Sequence, residues 1–252
     1  MTDDLTRRGF SRKALGTLLT YSLLETVSQQ DLFAAEIKPV TRKWLTQVND
    51  LSQSIKKQQL RQVEWQLKVE ELFGQVELPE LLKLLDFDRL TKGLKYVDNG
   101  ARSIRFQFPK IEGLPTNYVF GKQIFAMKKG RSVVPHGHNN MATAFLVLKG
   151  DLRGRHYDRV EDGKEDILIR PTIDRTFKPG DHSSISDYKD NIHWFQAQTE
   201  PAFIFNIHVL DVSPGNNRPT GRVYVDPKGE KIAGNLIRAK RLGYQEAHKL
   251  YG

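Results

Sequence analysis

From Ser103 onward the chain is a succession of short apolar-rich runs, and no other feature constrains its fold as strongly. SIRFQF, YVFGKQIFAM, TAFLVLKG, RHYDRV, DILIRP, HWFQAQ, AFIFNIHVL and GRVYVDP follow one another, separated by Gly, Pro, Asn and Asp. The β-branched and aromatic residues suit a pleated, half-buried surface, and the breakers supply turns. Turn signals recur roughly every 8 to 15 residues, which predicts an antiparallel sandwich or small barrel.

Ahead of this region the period changes to that of a helix. Trp44, Leu45, Val48, Leu51 and Ile55 recur mostly at steps of three and four. Leu60, Val63 and Leu67 continue the spacing, with Trp65, Val69, Leu72 and Val76 beside them. Pro79 opens a further short periodic piece, PELLKLLDFDRL. The stripe reads as a packing face. The expected organisation is a helical segment at 36–100, a β-barrel domain at 101–228, and a helical or loosely ordered tail at 229–252.

Residues 1–35 form a separate unit. Arg7 and Arg8 are paired, Phe10 follows, Arg12 and Lys13 close the charged region, and an apolar stretch runs from Ala14 to Leu24. That stretch is shorter than the roughly 20 apolar residues a spanning helix needs, and it suits the core of a signal peptide. The order resembles a twin-arginine export signal, with cleavage expected near Phe33-Ala34-Ala35. A periplasmic protein with no stable membrane span is the expectation.

The chain has no cysteine. Disulfides, thiolate ligands and a cysteine nucleophile are thereby excluded, and any metal must be held by nitrogen and oxygen. The net charge is +9, but 39 Lys and Arg are interspersed among 30 Asp and Glu without a long like-charge run. A nucleic-acid surface is therefore not expected, and attraction of small anions is. The Gly-x-Ser-x-Gly, Walker and Gly-x-Gly-x-x-Gly signatures are absent, so hydrolase, nucleotidase and dinucleotide chemistry have no motif to rest on.

RSVVPHGHNN carries the chemistry. In an extended segment residues i and i+2 share a face, so His136 and His138 aim their rings at one point. In full the stretch reads Gly130-x5-His136-x-His138-x4-Thr143-x6-Gly150. It resembles the first motif of the cupin superfamily, Gly-x5-His-x-His-x3–4-Glu-x6-Gly, with Thr143 standing at the glutamate position. The second cupin motif supplies one more histidine on a later strand, and His193, after Pro179-Gly180-Asp181 and a polar turn, is the match. The resemblance spans roughly residues 117–212. It implies a mostly β protein, a cupin jelly-roll barrel preceded by the α-helical segment, with His136, His138 and His193 as the metal ligands.

Three neutral imidazoles leave the charge of a divalent ion uncompensated, which favours an anionic, chelating substrate. Three-histidine cupins include cysteine dioxygenases and other thiol dioxygenases, gentisate-type dioxygenases and diketone-cleaving enzymes. Cysteine dioxygenases carry a Ser-x-His-x-Tyr run about fifteen residues after the third ligand. Here His208 occupies its centre, with Asn206 and Leu210 in place of serine and tyrosine and Thr143 at the position of the crosslinked cysteine. A Cys–Tyr crosslink is thus impossible.

His208 and His156 are the candidate acid/base groups, His208 also as a support for the ligands. Thr143, Arg153, Arg155, Tyr188 and Trp194 are candidate substrate contacts, the arginines as carboxylate clamps. The function expected from the resemblance is an exported mononuclear dioxygenase that takes iron(II), with manganese, nickel, zinc or copper as other ions such a site accepts. It would act on dioxygen and a small anion, in a chain that cupin precedent allows to pair as a homodimer. A non-catalytic ligand- or sugar-binding cupin and a metal-dependent isomerase are the competing expectations.

Overall fold

The computed structural model describes residues 39–215 and 219–252. The signal expected at 1–35 lies outside the described residues. Helices α1 (Pro39–Lys56), α2 (Gln62–Gln75), α3 (Leu78–Leu84) and α4 (Phe87–Thr91) precede eleven strands, and α5 (Tyr244–Tyr251) closes the chain.

The strands are β1 (Arg102–Ile104), β2 (Gly121–Met127), β3 (Ser132–Asn139), β4 (Met141–Lys149), β5 (Leu152–Asp162) and β6 (Asp166–Phe177). They continue with β7 (His182–Ile185), β8 (Ile192–Ala197), β9 (Ala202–Leu210), β10 (Gly221–Ile232) and β11 (Leu236–Leu242). All pairings are antiparallel. One sheet runs β1-β2-β9-β4-β7, and the facing strands run β6-β5-β8-β3. Successive strands from β2 to β9 thus divide between two facing sheets, in the order of a double-sheet jelly roll. The expected fold class is the observed one. The facing sheet then curls further, since β10 and β11 bridge β3 to β6 and close a six-strand barrel on its far side.

Alternation along β9 sorts the layers. Phe203, Phe205, Ile207 and Val209 point to the helices, and Ile204 points into the jelly roll against Phe145, Phe177 and Phe195. Trp44, Leu45, Val48, Trp65, Val69 and Phe73 meet the outward face in the same apolar cluster. Phe73 lies 5.7 Å from Trp44 and 6.2 Å from Phe205 between ring centroids. The helical segment is therefore one layer of the β domain. Its polar stripe also covers an edge: Gln66 Nε2 donates to Ser184 O in β7 at 3.1 Å, and Ser186 Oγ, just past the end of β7, donates to Gln66 Oε1 at 2.6 Å. Edge strands need such cover.

Two expectations are corrected. Leu60 packs partly buried against the core, but Val63 and Leu67 do not extend the packing face, and Leu67 is 61% exposed. The chain breaks at Gln58, where φ is 61°, and α2 starts in a new phase that buries Trp65, Val69 and Phe73. The tail at 229–252 is ordered, and only its last part is helical, as α5. β10 runs through the expected boundary, β11 follows it, and Val225, Ile237 and Ala239 are buried inside the six-strand barrel.

Candidate metal centre

β3 and β8 bring the three histidines together. His136 pairs in register with His193, so both rings leave the same face of the sheet toward the jelly-roll interior. His138 follows two residues on. Ring centroids are 4.2 Å apart for His136–His193 and 5.0 Å apart for each of the other two pairs. One ligand nitrogen from each ring lies within 4.8 Å of the others. The three residues are 3%, 3% and 1% exposed.

The intervening residue has to be glycine. A Cβ at Gly137 would stand 2.5 Å from Asn191 Oδ1 and 2.5 Å from Ile192 Cδ1. Side chains from the neighbouring strands β8 and β10 crowd that side, while the two imidazoles occupy the other.

Each imidazole is held by its Nδ1. Those of His136 and His193 meet the carbonyl oxygens of Val134 at 2.7 Å and Asn191 at 3.1 Å. A carbonyl only accepts, so these Nδ1 atoms carry the protons and each Nε2 presents a lone pair. His138 Nδ1 meets Thr143 Oγ1 at 3.1 Å, and its Nε2 stands 3.1 Å from that of His136. Thr143, expected as a substrate contact, is instead the partner that orients a ligand.

Burial is the main cause that drives the imidazoles to the neutral form. It pushes His136 and His138 well below the usual histidine range and His193 down to about 3, and Arg222 adds to the effect on each. Neutral imidazole is the form that ligates metal. The Thr143 hydroxyl can donate or accept, so His138 Nε2 either donates to His136 Nε2 at 3.1 Å or, with its proton on Nδ1, joins it as a second ligand to a cation. That separation also matches adjacent ligands around one ion at bonds of roughly 2.0–2.2 Å. The residues fit a divalent ion on three nitrogens, and among the described residues no carboxylate joins the group.

The two other candidate histidines take different places. His208 faces the same interior from β9, in register with Thr143, and is half-buried. Its Nδ1 meets Asn206 Oδ1 at 3.4 Å, and its ring lies across Gly121, where a Cβ would come within 2.2 Å of Nε2. Burial, then Arg222, lowers its pKa. His156, in register with His193 from β5, is wholly buried behind it. Its ring lies 5.4 Å from Phe195 and 6.1 Å from Phe177, which leaves no room for a reacting molecule.

The remaining substrate candidates are not at the centre. Because His156 and His193 point inward, alternation turns Arg153, Arg155 and Trp194 to the opposite face of the sheet. There Arg153 and Arg155 engage Asp174 at 2.6 and 3.4 Å, and the Arg155 guanidinium lies 4.3 Å over the Trp194 ring. Tyr188 projects from the β7–β8 turn and is 71% exposed. The cation whose charge is felt at the centre is the exposed Arg222 on β10, in register with His138. Sequence reasoning missed it. Its parity opposite to Val223 and Val225, which pack inside the six-strand barrel, was the available signal.

No protein-family model matches the chain, and no curated protein sequence does. Among solved structures it is similar to a double-stranded β-helix protein from Klebsiella pneumoniae, at 12% identity over 53% of this chain and 85% of that one, with a TM-score of 0.34. It is similar also to an oxalate oxidase, at 14% identity over 52% of this chain and 58% of that one, with a TM-score of 0.36. A cupin superfamily protein from Desulfitobacterium hafniense matches at 14% identity over 47% of this chain and 84% of that one, with a TM-score of 0.30. The jelly-roll assignment rests on the strand pairing alone.

Proposed function

We propose that the protein is a mononuclear metal-dependent oxygenase that acts on a small anionic, chelating substrate. The observation that carries the reading is the set of three buried, neutral imidazoles, each fixed through Nδ1, converging on one point without a carboxylate.

His136, His138 and His193 would hold the ion through Nε2. The ion supplies Lewis acidity and, as iron(II), the electrons that activate dioxygen. The rest of the work falls to the chain. Val134, Asn191 and Thr143 fix the ring orientations, so the ligands do not reorganise on binding. Arg222, whose charge is felt at all three ligands and at His208, would attract an anion to the centre. His208 directs Nδ1 to Asn206 and keeps a neutral Nε2 able to take a proton from the substrate.

The test is anaerobic purification with elemental analysis, then an oxygen-electrode screen of small thiolates, phenolates and diketones. Oxygen uptake with one of these classes, lost in His138→Ala, supports the reading. An iron-loaded protein that consumes no oxygen with any of them overturns it in favour of a binding protein. Export completes the proposal, on the order of residues 7–24. Recovery of the full chain only from the cytoplasmic fraction would remove that part.

A further inference from the structure

The strands that carry the histidines have a second face, and a cavity of about 610 Å³ opens on it. That size is ordinary for a small-molecule site. Its walls come from β5, β6, β8, β10 and β11, and α5 contributes Leu250 and Tyr251. It is separate from the three-histidine group: neighbouring residues on one strand point to opposite sides, so β8 sends His193 one way and Trp194 the other.

The lining has two parts. Pro171, Ile173, Pro227 and Ile237 are apolar. Arg155, Lys228 and Lys231 are cationic; Asp174 is the acidic side chain of the lining, and Asp226 lies behind it, accepting from the Tyr251 hydroxyl and the Lys228 N–H. Asp174 engages Nε of Arg155, and the buried Nη1 of the same guanidinium has no hydrogen-bond partner. Neither has the buried indole N–H of Trp194, which lies beneath that guanidinium. Lys228 Nζ stands 5.9 Å from the Trp194 ring and 5.3 Å from that of Tyr251, so its charge lies over the same corner. Two buried donors without acceptors are costly in a folded protein; both side chains line the cavity, and a small shift of the guanidinium off the indole would bring them to an incoming oxygen.

We propose that this cavity binds a small carboxylate with an apolar body. The carboxylate oxygens accept from Arg155 and Trp194 beside Lys228, and the body lies against Pro171, Ile173 and Ile237. A carboxylate matches the donors because two oxygens in one plane serve one guanidinium N–H and one indole N–H together. The inference stands independently of the metal reading, since it uses the other face of the sheet.

The experiment is a titration of the full chain with benzoate, followed by the indole N–H resonances in ¹⁵N–¹H spectra, with the Trp194 resonance assigned from its loss in Trp194→Phe. Benzoate is expected to shift that resonance saturably, in metal-loaded and chelator-treated protein alike. Benzyl alcohol should bind at least about tenfold more weakly, as should benzoate to Arg155→Gln, given the loss of a charge-assisted contact. Lys228→Gln, an exposed change, guards against misfolding and should also weaken binding severalfold. Four results would each overturn the proposal: a Trp194 resonance that benzoate never moves, a response equal with benzyl alcohol, a response that inorganic phosphate reproduces in full, or binding unchanged in both folded variants. Binding that disappears on metal removal or in His138→Ala would transfer the ligand to the histidine centre and sink the proposal equally.

Discussion

Replacing Gly137 by alanine adds one methyl group at the most crowded point of the site. The new Cβ would lie 2.5 Å from Asn191 Oδ1, 2.5 Å from Ile192 Cδ1 and 3.3 Å from Val223 Cγ1. Ile192 has some freedom to turn, but Asn191 has little. Its Nδ2 donates to His138 O and to Ser186 O, both at 2.8 Å, and its own carbonyl receives Nδ1–H of His193. Relief of the clash must therefore move a residue that holds the His193 imidazole and the main chain of His138. Overpacking of this kind costs about 1–3 kcal/mol. In a chain of this size that lowers Tm by roughly 2–4 °C per kcal/mol. Displacement of an outer hydrogen-bonding partner weakens metal binding by about 10–100-fold. Circular dichroism melts and a calorimetric metal titration read the two effects. Gly243→Ala serves as the control, because nothing lies within 4 Å of its added Cβ. A Gly137→Ala protein that melts and binds metal like the control would refute the claim that Asn191 and Ile192 leave no room for a side chain here.

Thr143→Val leaves Nδ1–H of His138 without its acceptor; metal affinity is expected to fall about tenfold or more with the fold retained, measured by the same titration. Phe73→Ala should cost about 3–5 kcal/mol and lower the single unfolding transition of the whole chain, since its ring joins α1 to β9; a separate early transition of the helices alone would contradict the shared core. The apo protein should weaken on acidification. His193 titrates near 3 when folded and near 6.5 when unfolded, so the unfolded chain gains a proton first as pH falls. Stability is then full above about pH 6.5 and declines toward pH 3, by ~2 kcal/mol at pH 5 for this residue alone. Denaturant titrations of chelator-treated protein at pH 7 and pH 5 measure the difference, and equal midpoints would refute it.

The jelly roll was readable because most of its strands are bounded by Gly, Pro, Asn or Asp and are apolar enough to stand out. AFIFNIHVL is one such case, with both faces buried between the helices and the barrel interior. The His-x-His pair was readable because a strand's two-residue period alone fixes its convergence. LIRAKRL was not recognised as a strand, since Arg238, Lys240 and Arg241 mask the alternation of Ile237 and Ala239. Arg153, Arg155 and Trp194 were assigned to the wrong face by their closeness in sequence to the histidines; counting parity from His156 and His193 turns them outward. Arg222 was invisible for a different reason. Its place beside His138 depends on β10 pairing with β3 across more than eighty residues of chain, a register set by the closed barrel. Which ion binds is not written in the donors, because three imidazoles suit several divalent metals.

The central claim is that His136, His138 and His193 bind one ion together. X-ray absorption fine structure of the protein loaded with one equivalent of zinc tests it most directly. The account predicts three imidazole nitrogens at about 2.0–2.1 Å, with the imidazole scattering reduced and the affinity lost in His193→Ala. An all-oxygen coordination shell, or a spectrum that His193→Ala leaves unchanged, would contradict it.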